Sequence, residues 1–190
     1  VDIPLARKAR FGVLEDGTRA YAYPDAYQRQ TFSQGVERLA IGAADAHVSL
    51  LSDLAGCLPE PFKILYVLVV PRIDDVAAAR YEAPGELSRQ ALQEFLGEFS
   101  EFFECDGRHH VWIANPDHGT IVYDRHNVIY AYGPLDDYAS VLATRGLREG
   151  PVDIPAPHWH AYHADYDAML RRLLDRWRWV EKPLGPRDHE

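Results

Sequence analysis

The chain has 190 residues, 47% of them hydrophobic, 12% aromatic and 26% charged, and its formal net charge is −9. That composition suits one folded domain with its own core and excludes wholesale disorder, and the acidic balance excludes a nucleic-acid backbone as partner, because such binding draws on clustered Lys and Arg. No apolar run reaches the ~18 residues of a membrane span, two cysteines, Cys57 and Cys105, make no disulfide framework, and VDIPLARKAR lacks the apolar core of an export signal, so a cytoplasmic protein is expected, with an Arg-, Ala-, Gly- and Pro-rich usage that suits a bacterium.

The first pattern is a hairpin, with Asp16-Gly17 supplying the positive-φ turn between Phe11–Leu14 and Thr18–Tyr23. VERLAIGA, 36–43, reads as a weakly alternating strand. With Asp45 as N-cap, Val48, Leu51, Leu54, Ala55 and Leu58 recur at helical spacing until LPEP ends the helix. FKILYVLVVPR, 62–72, is apolar without alternation, which marks a central strand covered on both faces. IDDVAAARYEAPGE, 73–86, reads as a surface loop. Ser88 then caps one long helix whose apolar stripe runs through Leu92, Phe95, Leu96, Phe99, Phe102 and Phe103 to Asp106-Gly107.

HHVWIA, TIVYD and NVIYAYG follow as a three-stranded antiparallel meander, joined by the turn sequences NPDHG and DRHN. PLDDYASVLATRG supplies a helix with Pro134 near its start and Gly146 past its end. Residues 150–157 are a Pro-rich tether, and a long helix spans about 158–180. The whole reads as an α+β fold in a single domain, 1–182: a mixed, mostly antiparallel sheet with a C-terminal meander and about four helices, followed by a flexible tail at 183–190.

Chemistry concentrates in PHWHAYHADYD, 157–167. Its H-x-H-x-x-H spacing carries Tyr162 where a dinuclear-metal pattern would need Asp. On a helix starting at Pro157, Trp159, Tyr162 and Tyr166 join the packing stripe, and His158 points away. His160, His163 and Asp167 fall along one edge, as two or three ligands for a divalent metal or as an acid–base cluster. As polar residues in a first helical turn they need no function at all. A second candidate is an aromatic pocket on one face of the meander, formed by His110, Trp112, Tyr123, Tyr130 and Tyr132, against which the C-terminal helix packs. Asp124 to Asn127 and Asp117 to Gly119 read as turn residues.

No P-loop, dinucleotide fingerprint, nucleophile elbow, H-E-x-x-H or C-x-x-C occurs. The expectation is therefore a non-catalytic protein-binding or accessory module, of immunity or inhibitor type, with another protein as partner and neither nucleic acid nor membrane. The alternative is a metal-assisted hydrolase or small-ligand binder built on His160, His163 and Asp167, with His110 completing the set and a divalent metal as its cofactor.

Overall fold

The computed structural model describes residues 9–11, 13–14, 17–18, 23–32, 34–154, 156, 158–186 and 188. In chain order the elements are β1 (Ala9–Phe11), β2 (Val13–Leu14), β3 (Gly17–Thr18), β4 (Ala26–Thr31), β5 (Glu37–Gly42), α1 (His47–Ala55), β6 (Lys63–Leu68), β7 (Ala79–Glu82), α2 (Arg89–Glu98) and α3 (Ser100–Cys105). They continue with β8 (His109–Asn115), β9 (Gly119–Tyr123), β10 (Ile129–Tyr132), α4 (Leu135–Thr144), β11 (Arg148–Glu149), β12 (His158–His160), α5 (Asp167–Asp175) and β13 (Val180–Lys182). Nine strands form one sheet in the order β11-β4-β5-β10-β9-β8-β6-β7-β13, antiparallel throughout except for the β11–β4 edge. Two small ribbons, β1–β12 and β2–β3, stand apart from it. This is the mixed, mostly antiparallel α+β architecture that the sequence implies.

The sheet has one closed face and one open face, and strand alternation sorts every residue between them. Leu39, Ile41, Ile64, Tyr66, Val111, Ile113, Ile121, Tyr123 and Ile129 face the five helices and share a single core with them. α1 contributes Leu51 and Leu54, α2 Leu92 and Phe95, α3 Phe102 and Phe103, α4 Tyr138 and Leu142, and α5 Leu170 and Leu173. Each such Phe or Leu contributes about 1.5–3 kcal/mol by leaving water. The opposite face carries Arg38, Ala40, Tyr130, Tyr132, Thr120, Val122, His110 and Trp112. A smaller cluster of Tyr23, Ala26, Ala40, Val128 and Val152 lies there, so Val152, six residues before β12, packs on this face.

Several sequence expectations are corrected. Asp45 does not cap α1: Ala46 takes the cap position in a left-handed conformation, and Glu104 of α3 accepts the Val48 N–H at 2.7 Å, so a remote carboxylate satisfies the orphan donor. Ser88 does cap α2, its Oγ accepting from the Ala91 N–H. The helix then breaks at Phe99 (φ −110°, ψ 13°), two residues after the weak helix former Gly97. The 73–86 stretch contains β7, whose Ala79 and Tyr81 enter the core. Four residues are too few to display alternation in sequence. β4 escaped notice because Gln28 and Gln30 lie on the open face and need no apolar character. In the first hairpin β2 and β3 do pair, while residues 15 and 16 lie outside the described residues.

The C-terminal helix is the largest correction. It covers Asp167–Asp175 and not 158–180, because His158–His160 extends as β12 against β1, and Ala164–Tyr166 is a single 3-10 turn. It also packs on the closed face: Tyr166 lies against Phe102 and Trp177 stacks on Phe95 at 4.9 Å, so the aromatic face of the meander is left without a helix. The tail is anchored at Asp188, which is 4% exposed and grips Arg80 through two bonds of 2.7 and 2.8 Å.

What holds the C-terminal segment in place is Arg108, 0% exposed at the start of β8. Its Nε and Nη2 donate to the two oxygens of buried Asp106, its Nη1 to Asp167 Oδ1 at 2.7 Å, and Nη2 also to the His163 carbonyl at 2.8 Å. The Gly107 N–H donates to the Ala161 carbonyl and the His163 N–H to Asp106, which adds two backbone ties to the same segment. Replacing Arg108 by Met leaves Asp106 as an uncompensated buried charge, and is expected to cost about 3–5 kcal/mol, measured as a lowered urea midpoint.

Candidate metal centre

DRHN closes the hairpin between β9 and β10, and its chemistry is local. Asn127 adopts a left-handed backbone (φ 62°) and its side chain accepts from Tyr123 Oη. Asp124 Oδ1 accepts the backbone N–H groups of His126 and Val128, and Oδ2 takes the Nδ1 position of His126 at 2.9 Å. Burial acts to raise the Asp124 pKa. The hydrogen bond from His126, the nearby charge of His126 and His110 and the Val128 N–H outweigh it, and the carboxyl sits below its ordinary value. An ionised Asp124 accepts at Oδ2, so His126 Nδ1 carries a proton and Nε2 is the nitrogen turned away from the carboxylate.

β12 supplies the other two imidazoles. In a strand, residues two apart share a face, so His158 and His160 point the same way and Trp159, 43% exposed, points the other. His126 meets His158 and His160 with ring centroids 4.9 Å away in each case, and the latter two are 5.4 Å apart. One ligand nitrogen from each of the three lies within 4.8 Å of the others, and this is the group with metal-binding potential among the described residues. A zinc ion at ~2.0–2.1 Å from each nitrogen requires the rings to draw in where they stand farthest apart. The donor set fits: two segments converge, three imidazoles face one another, and a carboxylate backs one of them, the outer-shell arrangement that fixes tautomer and orientation in metal-bound histidines.

Arg125 stands in this cluster as well. Its Nε donates to His160 Nε2 at 3.0 Å and its Nη2 to Tyr162 Oη at 3.1 Å, while the Arg125 carbonyl lies 3.1 Å from His160 Nδ1. Arginine can only donate, so His160 is neutral with its proton on Nδ1. Burial, then the charge of Arg125 and of His126, push the His160 pKa down to about 3. A metal taking the Nε2 lone pair must displace the Arg125 guanidinium.

The sequence candidates are distributed differently from the helical reading. His160 belongs to the cluster, but His163 and Asp167 are not brought to it: both serve Arg108, one through its backbone and the other through its carboxylate. Of the aromatic set, His110, Trp112, Tyr130 and Tyr132 do line one cleft, of about 580 Å³, together with Arg38, Val122, Asp124 and His126. Tyr123 does not: Val122 pairs with Trp112 and Tyr130, so Tyr123 falls one register position away, into the core, where it stacks on His47. His126, a turn residue by its sequence context, joins the cleft to the histidine cluster. A signal was present in the H-x-H itself, since alternate residues of a strand share a face.

Comparison with protein-family models, with curated proteins and with solved structures finds no match for this chain. Its chemistry therefore rests on its own geometry. No helix among the described residues is long and apolar enough to cross a membrane.

The His160 environment sets a pH dependence. Its folded pKa of about 3 lies below the ordinary 6.5, so between these values the unfolded chain holds the extra proton and stability falls as pH is lowered, while above 6.5 the contribution is constant. In chelator-treated protein, His160→Gln is expected to flatten the plot of urea stability against pH by up to about one proton in that window, relative to the native chain.

Proposed function

We propose that this chain is a metal-dependent protein that acts on a small molecule in the open-face cleft, with hydrolysis as the reaction. The observation that carries this reading is the convergence of His126, His158 and His160 from two segments of the chain, with Asp124 orienting His126. Three histidines leave a tetrahedral ion one open position, the arrangement that catalytic zinc sites use. A divalent ion held there would polarise a carbonyl or phosphoryl oxygen and lower the pKa of water. The protein supplies the rest: His126 lines the cleft wall, so the ion would adjoin bound substrate, and Trp112, Val122 and Tyr130 exclude water from the apolar part of it. This set replaces His163, Asp167 and His110 in the metal reading drawn from sequence.

The test is zinc titration of untagged protein by calorimetry. Native protein is expected to bind one ion, and alanine at His126, His158 or His160 to abolish that binding, whereas His163→Ala leaves it unchanged. Asp124→Asn keeps an oxygen for the two backbone donors but loses the charge behind His126, and is expected to weaken the ion about 10–100-fold. Unchanged zinc affinity in all three alanine variants would sink the proposal. Arg125→Ala removes both the competing donor and a positive charge, so its zinc affinity is expected to rise; a fall would show that Arg125 supports the ion and does not compete with it.

The protein-binding reading has its own support. Phe32, Val36, Ile154 and Trp159 are exposed apolar side chains, and Phe32 and Ile154 belong to the cleft's lining. A protein partner seated over the cleft would cover both. Capture of a stoichiometric partner by the native chain but not by a Phe32→Asp, Ile154→Asp double variant would favour this reading over a small-molecule site.

A further inference from the structure

We infer that the cleft takes an organic anion, whose carboxylate or phosphate head is bound by Arg38 and whose flat apolar body lies along Tyr130 toward His126. This deepens the functional reading above in naming the substrate class, and rests on it only in taking this cleft as the working face.

Arg38 sits on β5, half-buried on the open face. Its Nε donates to Gln30 Oε1 at 2.9 Å and its Nη1 to Tyr132 Oη at 3.0 Å. The guanidinium carbon is 3.9 Å from the centre of the Tyr130 ring and 4.8 Å from that of Phe32. Two neutral acceptors and two aromatic faces thus hold the fork in one plane, and a fork so fixed loses little entropy when it binds. Burial pushes the Tyr130 pKa up to about 12, so that ring is a neutral phenol against the cation.

The charge of Arg38 has no carboxylate within ion-pair distance among the described residues. Many arginines of this acidic chain are matched, Arg29 by Asp136, Arg80 by Asp188, Arg145 by Asp53 and Arg171 by Asp75, whereas Arg38 shares with Arg89 and Arg125 the lack of a carboxylate partner among the described residues. Asp124, the one carboxylate among the described residues lining the cleft, already accepts from two backbone N–H groups and from His126. Neither Gln30 nor Tyr132 takes Nη2, which leaves that edge of the fork to a ligand oxygen. A planar donor fork with unused N–H groups selects carboxylate or phosphate.

The strand geometry sets the ligand's length. Arg38 is opposite Tyr132, and the hairpin carrying His126 begins four residues along β10, at Val128, which is about 13 Å at ~3.3 Å per residue. Between these ends the floor is the rings of Tyr130 and Trp112 with the aliphatic Val122. A ligand with its head on Arg38 therefore presents its far end to the histidines.

The experiment is calorimetric titration with 2-naphthoate, 2-naphthyl phosphate and the neutral 2-naphthol, on zinc-loaded and on chelator-treated protein. At least one of the two anions is expected to bind tenfold or more tightly than naphthol, and Arg38→Gln to lower its affinity roughly tenfold or more while zinc affinity stays native. Which anion wins separates a carboxylate ligand from a phosphate one. Arg38→Met, which keeps the stacking stem, carries the same expectation should the Gln variant fail to fold. Anions that bind no better than naphthol overturn the inference. So does native-like anion binding by the Arg38 variants; if chelation abolishes that binding, the head sits on the ion and the metal reading stands alone. Loss of anion binding in the Arg38 variants, beside unchanged zinc affinity in the alanine variants of His126, His158 and His160, leaves this inference standing and removes the metal reading.

Discussion

A guanidinium with no exposed surface organises the molecule. Moving a charged arginine out of water is worth several kcal/mol against folding, and Arg108 is tolerated only because Asp106, Asp167 and the His163 carbonyl meet its donors. Those partners come from both sides of the chain: Asp106 ends α3, two residues before Arg108, while Asp167 opens α5 some sixty residues later. Satisfying one cation therefore closes the C-terminal segment onto the start of β8. Residues 161–163 are bound there by their backbone, and the three residues before them must run back past the β9–β10 hairpin, where His126 is.

The same closure leaves the sheet with one covered and one open face. All five helices, including α5, lie on one side, where Phe, Leu and Ile side chains are buried and the strands add tyrosine hydroxyls, His109 and Asn115 as polar groups. The other side has no helix and is covered only in part, by Val152 and its neighbours. A face left open along its middle strands, yet too aromatic to be simple solvent surface, is where a cleft can form with side chains already fixed by the β ladder. Arg38, Tyr130, Val122 and Trp112 are held in register by four adjacent strands, and strands position such groups more precisely than loops.

Arg125 ties the histidine cluster to the hairpin tip. It donates to His160 and to Tyr162, so the three imidazoles sit in a hydrogen-bonded arrangement. Burial, and then the positive charge of Arg125, keep His160 neutral. The consequence is an imidazole held deprotonated at ordinary pH, with its lone pair covered by a side chain on a flexible stem.

The sequence by itself determined what depends on neighbours along the chain: the apolar stripe of α2 and α3, the Ser88 cap, the Asn127 turn, the strands of the meander, the Pro134 and Gly146 bounds of α4, and the α+β class that follows from their order. It also placed His110, Trp112, Tyr130 and Tyr132 on one face, because period two is a local rule. Register was not local. Shifting β9 by one residue exchanges Val122 and Tyr123, and only the pairing with β8 and β10 decides which enters the core. Nor was the state of PHWHAYHADYD, whose spacing suits a helix as well as a strand followed by a turn. His158–His160 are extended because β1 pairs with them and Arg108 draws the following residues inward, both contacts more than fifty residues distant. Tertiary structure alone decided that His160 would leave His163 and Asp167 and join His126, since a hairpin tip and a strand far apart in sequence meet only once the sheet has formed.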